Sequence, residues 1–220
     1  MCVHEWEPSV CRKPKVKCAE RGSREFAPLT DSVITEHLLG RRTVGVYPLL
    51  PDETCWFFAI DLDKASWRDD VAALLRASAD MGVPLSIERS RSGNGAHAWV
   101  FFESPVRASS TRSLGCALLT KAIEIRHQIG LDSYDRLFPN QDTMPKGGFG
   151  NLIALPLQPA PGLKGNSLFL DAALRPYTDQ WAYLSTIRRM SSCEVDALVR
   201  MASRTLYTSR FAGLTESRVP

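Results

Sequence analysis

Phe57-Phe58-Ala59-Ile60-Asp61-Leu62-Asp63-Lys64 is an apolar run that ends abruptly in two acids with one apolar residue between them. Side chains alternate faces along a strand, so a strand here turns Asp61 and Asp63 the same way. Two carboxylates then stand side by side at a strand end. Like charges that close repel, and both stay ionised when a cation sits between them. Hard oxygen donors suit Mg²⁺ or Mn²⁺. The competing reading is a polar strand end with two solvated acids. The pair alone does not decide between them.

The flanks place this run in an alternating chain. Upstream, residues 44–50 read as a strand and Pro51-Asp52-Glu53 as a turn before the strand 54–61. Thr30 or Asp31 can cap a short helix through Leu39, with Gly40 as its stop. Downstream, Trp67, Val71, Leu74, Leu75 and Ala79 follow helical spacing over 66–81, and Gly82 ends the pattern. A strand over 85–89 comes next. Ser90-Arg91-Ser92-Gly93-Asn94-Gly95-Ala96-His97 then leads into apolar residues 98–102. A glycine-rich turn between strands lets backbone amides approach an anion closely. His97 opens the second strand, with Trp99 and Phe101 on its own face. A lone histidine there is often structural. Following Gly93 and Gly95, with Arg89 and Arg91 just before, it suits phosphate binding.

Ser109-Ser110-Thr111 can cap a helix running to about residue 129, where Leu114, Leu118, Ile125 and Ile129 form one stripe. The segment 131–142 follows, carrying Asp132, Asp135 and Asp142 with two side-chain amides. A glycine-rich loop with Lys146 and a short apolar strand over 151–157 come next. Two helices are expected over 176–189 and 191–204. The second begins with the capping box Ser191-Ser192-Cys193-Glu194.

The chain has 220 residues, enough for one large domain or two small ones with a substantial core. Hydrophobic residues make up 44% and charged residues 23%, an ordinary globular balance. The net charge of +3 is compatible with a nucleic-acid partner without proving one. The sequence shows no signal-peptide pattern and no apolar run long enough to span a bilayer, so no membrane partner is expected. With no export pattern, the six irregularly spaced cysteines argue against disulfides and for a cytoplasmic setting. Cys2, His4, Cys11 and Cys18 lie in a basic stretch that differs from the rest. Three cysteines and a histidine could fill a tetrahedral Zn²⁺ site; the alternative is a basic arm with free thiols. No Cys-x-x-Cys pair is present there, because Arg21 stands where one would be completed with Cys18. Three regions are expected: a Cys-rich arm over 1–26, a main domain over 27–175, and a helical segment over 176–220 that continues in a longer protein.

The order is a strand with Asp-x-Asp, helix, strand, Ser-Gly-x-Gly-x-His, strand, helix, acid-bearing segment, strand. In this it resembles the archaeo-eukaryotic primase superfamily, whose members carry an Asp-x-Asp first motif, a Ser-x-His type second motif and a lone acid as third. It is most similar to the primase domain of TOTE conflict systems and to CRISPR-linked primase-polymerases. The likeness rests on Cys2 with His4-Glu5-Trp6, Cys11 with Lys13-Pro14, Gly45-Val46-Tyr47-Pro48-Leu49-Leu50, and Ser90 to Gly95. Above all it rests on Asp135-Arg136-Leu137-Phe138-Pro139-Asn140-Gln141 through Gly150-Asn151-Leu152-Ile153-Ala154-Leu155-Pro156. Two departures are visible. Relatives usually carry a cysteine where this chain has Arg21, and the segment between Leu39 and Val44 is shortened.

The resemblance implies an α/β (α+β) fold, with an N-terminal αβ unit and an RRM-like catalytic sheet. It implies a DNA primase-polymerase that transfers nucleotides to a 3′-hydroxyl on a nucleic-acid template, with Mg²⁺ or Mn²⁺ as cofactor and Zn²⁺ at the arm as an open second metal. On this reading Asp61 and Asp63 hold metal, with Asp135 as third acid and Asp132 as its alternative. Ser92, Gly93, Asn94, Gly95 and His97 take the triphosphate, and Arg91 and Lys146 contact phosphate or template. Expected partners are template, primer and nucleoside triphosphates, with fused or associated helicase or nuclease domains. Two other readings stay open: a non-catalytic nucleic-acid-binding module, and a two-metal nuclease of a conflict or defence system.

Overall fold

The computed structural model describes residues 28–126, 133–145 and 150–215, with side chains as far as 204. Cys2, His4, Cys11, Cys18, Arg21, Asp132 and Lys146 therefore lie outside the described residues. In chain order the elements are α1 (Asp31–Leu38), β1 (Gly45–Val46), β2 (Thr54–Leu62), α2 (Trp67–Met81), β3 (Ser86–Arg89), β4 (Ala96–Arg107), α3 (Ala108–Ile125) and β5 (Tyr134–Phe138). They continue with β6 (Ile153–Ala154), α4 (Pro159–Gly162), β7 (Phe169–Leu170), α5 (Gln180–Thr186), β8 (Arg189–Met190) and α6 (Ser192–Thr215).

From β2 to β5 the connectivity is β-α-β-β-α-β, and the sheet order is β5-β2-β4-β3, extended by β7. That is the split βαβ arrangement of RRM-like sheets, with every one of these pairings antiparallel. One face of the sheet carries Phe58, Ile60 and Leu62 from β2 and Ala98, Val100 and Phe102 from β4. Val71 and Leu74 of α2 and Leu114 and Leu118 of α3 cover it. Burying each large aliphatic side chain contributes about 1.5–3 kcal/mol, so this face anchors the fold. The opposite face presents Phe57, Ala59, Trp99, Phe101 and Phe138, partly covered by Ile153, Phe169, Tyr177 and Tyr183.

The N-terminal αβ unit is α1 with the β1–β6 pair. The buried His37 ring ties it together: Nε2 meets the Pro156 carbonyl at 2.8 Å, and the Val44 amide donates to Nδ1 at 3.1 Å. Thr30 is the N-cap of α1, its side chain accepting from the Val33 amide. Gly82 closes α2 at φ 69°.

Several elements differ from their sequence reading. Regular pairing in the strands expected over 44–50 and 151–157 is confined to two residues each, because β1 and β6 pair only with one another. Helix α3 starts at Ala108 with Arg107 as an N-cap that makes no side-chain bond, and it ends at Ile125. The acid-bearing segment yields a strand, β5, beside β2. The helix expected over 176–189 shrinks to α5, whose start is fixed by Asp179 accepting from the Trp181 and Ala182 amides. The last residue of that window, Arg189, opens β8, which runs parallel to β4. The capping box of α6 forms as read: the Ser191 amide donates to Glu194 Oε2 at 2.7 Å, and the Glu194 amide donates to Ser191 Oγ at 3.3 Å.

Candidate active site

Strand pairing sets one row of side chains across the open face of the sheet. Arg136 of β5, Asp61 of β2, His97 of β4 and Glu88 of β3 stand opposite one another in turn. Asp63 lies one residue past the end of β2. Its amide donates to the Ser133 carbonyl at 2.6 Å, which prolongs the contact with the chain entering β5. Lys64, at φ 72°, then turns the chain away.

Asp135 reaches this face through an irregularity. Asp61 pairs with Arg136 but Leu62 pairs with Tyr134, so Asp135 is an extra residue in β5. In a regular ladder it would stand opposite Leu62, whose side chain points into the helix-covered core. A bulge re-aims one side chain in this way. As a result Asp61, Asp63 and Asp135 each offer an oxygen, and these atoms lie within 4.8 Å of one another. The donor set is all carboxylate oxygen, which fits a hard divalent cation such as Mg²⁺ or Mn²⁺.

Arg136 and His97 flank the acids. Arg136 Nε donates to Asp135 Oδ2 at 2.5 Å. His97 Nε2 is 3.5 Å from Asp61 Oδ1, and Nδ1 is 2.6 Å from Glu88 Oε2. Burial pushes the Asp61 carboxyl above the usual carboxylate range, and Asp63 and Asp135 add to this while His97 works against it. Burial pulls the other way on His97, yet the Glu88 hydrogen bond and charge, with Asp61 and Asp63, raise it above the ordinary imidazole value. Trp99 meets His97 edge-on and stacks on Phe101, as their shared face in the sequence implied.

The turn 90–95 sits at the same sheet end. Gly95 is held against the acidic strand: a Cβ there would lie 2.3 Å from the Leu62 carbonyl and 2.8 Å from Asp63 Oδ1. Gly93 takes φ 80° against Asn166, whose Nδ2 donates to the Arg91 carbonyl at 3.4 Å. The amides of Gly93 and Asn94 bond within the turn, to the Ser90 carbonyl and to Ser92 Oγ. Arg89 Nε also closes onto the Gly93 carbonyl. The glycines thus serve close packing of the turn, and the Gly93 and Asn94 amides are already engaged.

Glu88 and Arg136 are the two site residues that the sequence reading did not single out. An acid next to Ile87 in a short strand was the available signal for Glu88. For Arg136 the available signal was its place beside Asp135 in the segment 135–141.

An RRM-like sheet with three carboxylates converging on its open face defines the class: a mixed α/β fold built around an acidic cluster. The TOTE conflict system, Archaeo-Eukaryotic Primase domain matches residues 1–198, and this chain belongs to that family. Among solved structures, the polymerase domain of Mycobacterium tuberculosis ligase D in complex with DNA is similar to it at 17% identity, with a TM-score of 0.31. The match covers 74% of this chain and 57% of that one. No curated protein matches.

Proposed function

We propose that this chain is a primase-polymerase, joining nucleotides to a 3′-hydroxyl on a nucleic-acid template. The observation that carries the reading is the convergence of Asp61, Asp63 and Asp135 within 4.8 Å on the open face of the sheet. These three residues would hold Mg²⁺ or Mn²⁺. Such ions would supply positive charge there, of the kind that lowers the pKa of an attacking hydroxyl and offsets charge on a leaving pyrophosphate. The bulge in β5 and the Asp63 amide bond to Ser133 keep the three carboxylates aimed at one point before any ligand arrives.

His97 is assigned to the nucleotide triphosphate. Its Nε2 faces the acidic cluster, where the phosphates must lie if the carboxylates hold their counter-ions. Ser92, Gly93, Asn94, Gly95 and Arg91 border the same sheet end, and Lys146 completes the proposed phosphate contacts. Because the Gly93 and Asn94 amides are engaged in the turn, the side chains of this segment carry its role. The site residues fall within 27–175, with 176–220 as a C-terminal extension. Zn²⁺ bound by Cys2, His4, Cys11 and Cys18 remains part of the reading, and about one equivalent in purified protein is its expected signature.

The test is extension of a labelled primer on a template with deoxynucleotides and Mn²⁺. The wild-type chain should extend, and Asp61→Ala with Asp63→Ala should abolish extension without unfolding the protein. Degradation of the primer would identify a nuclease instead, and binding without either reaction would identify a non-catalytic module. Extension that persists in the double variant would overturn the metal assignment.

A further inference from the structure

We infer that Glu88 is a positioning residue, which fixes the His97 ring through Nδ1 so that Nε2 is presented to the nucleotide triphosphate. The inference deepens the role proposed for His97 and rests on it. Glu88 lies on an interior strand, between His97 of β4 and Phe169 of β7, and is only 2% exposed. Its neighbour Ile87 points into the helix-covered core, so Glu88 faces the site side. A single oxygen, Oε2, takes the His97 Nδ1 contact at 2.6 Å and the Trp99 Nε1–H donation at 3.3 Å. Both partners come from β4, two residues apart, and the ladder holds Glu88 opposite His97.

Burying a carboxylate is costly unless it is hydrogen-bonded, and a packed apolar residue would serve a purely structural position at lower cost. What the carboxylate gives is directional. An acceptor at Nδ1 assigns a proton to that nitrogen and sets the ring plane, as second partners do for functional histidines generally. Trp99 holds the acceptor from the other side and meets the His97 ring edge-on at a centroid distance of 5.9 Å. Neither Glu88 nor Trp99 is among the three convergent acids.

The experiment is a double-mutant cycle read by equilibrium binding of a fluorescent deoxynucleoside triphosphate in Mn²⁺. His97→Ala should weaken binding about ten- to a hundredfold, the equivalent of one charge-assisted hydrogen bond. Glu88→Leu should weaken it to a similar extent. Glu88→Gln, which retains a neutral acceptor, should cost about three- to tenfold, since neutral bonds are roughly half as strong. In the His97→Ala background neither Glu88 substitution should change the affinity further, because the residue acts through His97. Mn²⁺ affinity without nucleotide should stay at the wild-type value in both Glu88 variants. Should Glu88→Leu not fold, Glu88→Gln carries the cycle. Additive losses, unchanged nucleotide affinity in a Glu88 variant, or a fall in Mn²⁺ affinity would each overturn the inference. Unchanged affinity in His97→Ala would overturn the role proposed for His97, and this inference with it. A loss in His97→Ala that no Glu88 variant reproduces would sink the inference alone.

Discussion

Asp61 carries the sharpest tension between stability and chemistry. It sits in the strand beneath two further acids, and burial raises its carboxyl above the ordinary range. A carboxylate raised by the fold destabilises the metal-free protein while ionised. That cost is present above its folded pKa and disappears as pH falls through it. Asp61→Asn should therefore raise the melting temperature of metal-free protein at neutral pH, and the gain should shrink on acidification. Thermal scans in chelator across a pH series measure this. A lower melting temperature for the variant at neutral pH, or a gain that does not depend on pH, would contradict it. The same substitution should abolish primer extension, since an amide is a poor replacement for an ionised ligand. Acid should also weaken Mn²⁺ binding to the wild-type site earlier than an ordinary carboxylate would, because Asp61 takes up its proton at higher pH.

At the scale of elements, the site depends on how three chain segments are held together at one end of the sheet. Asp70 of α2 is fully buried and serves as their hub. It accepts from Ser66 ahead of α2, from Arg126 after α3, and from Ser133, whose carbonyl in turn receives the Asp63 amide. Asp70→Ala strands these donors and should cost about 1–3 kcal/mol of stability. It should also weaken Mn²⁺ affinity while the protein is still folded, which calorimetric titration below the melting range would read. Gly95 allows the other close approach. Gly95→Ala forces a methyl onto the Leu62 carbonyl, at a cost of about 1–3 kcal/mol, and displaces Asp63. Unaltered Mn²⁺ affinity in that variant would show that the turn can move without disturbing the acids. The sequence made part of this arrangement readable. Alternation along β2 placed Asp61 with its partner at the strand end, and Ser191 with Glu194 marked the start of α6, because both signals are local. The bulge at Asp135 is a property of how β5 pairs with β2, and Glu88 finds His97 only through the register of β3 on β4. Neither can be read from a segment in isolation. The brief β1, β6 and β8 likewise depend on partners distant in the chain.

For the whole molecule, the chemistry and the core end at different places along the chain. The proposed site residues are complete well before residue 176. The core is not: β8 adds Met190 beside Phe102 of β4, and Val195 of α6 is fully buried in the same helix-covered cluster. Leu198 and Val199 pack against it, and Ser110 of α3 donates to Asp196 at 3.4 Å. Each large apolar side chain buried there contributes about 1.5–3 kcal/mol, against a net stability for a typical domain of about 5–15 kcal/mol. Loss of this segment should therefore remove most of the margin. A chain ending after Thr186 should lack a cooperative thermal transition. Met190→Ala, which leaves the chain length unchanged, should cost about 2–5 kcal/mol by opening a cavity against β4. Mn²⁺ binding should survive in that variant at temperatures where it is folded, since Met190 lies on the helix-covered side of the sheet and the acids on the other. A cooperative, metal-binding fragment ending at Thr186 would show instead that the sheet and its two central helices hold the site without β8 and α6.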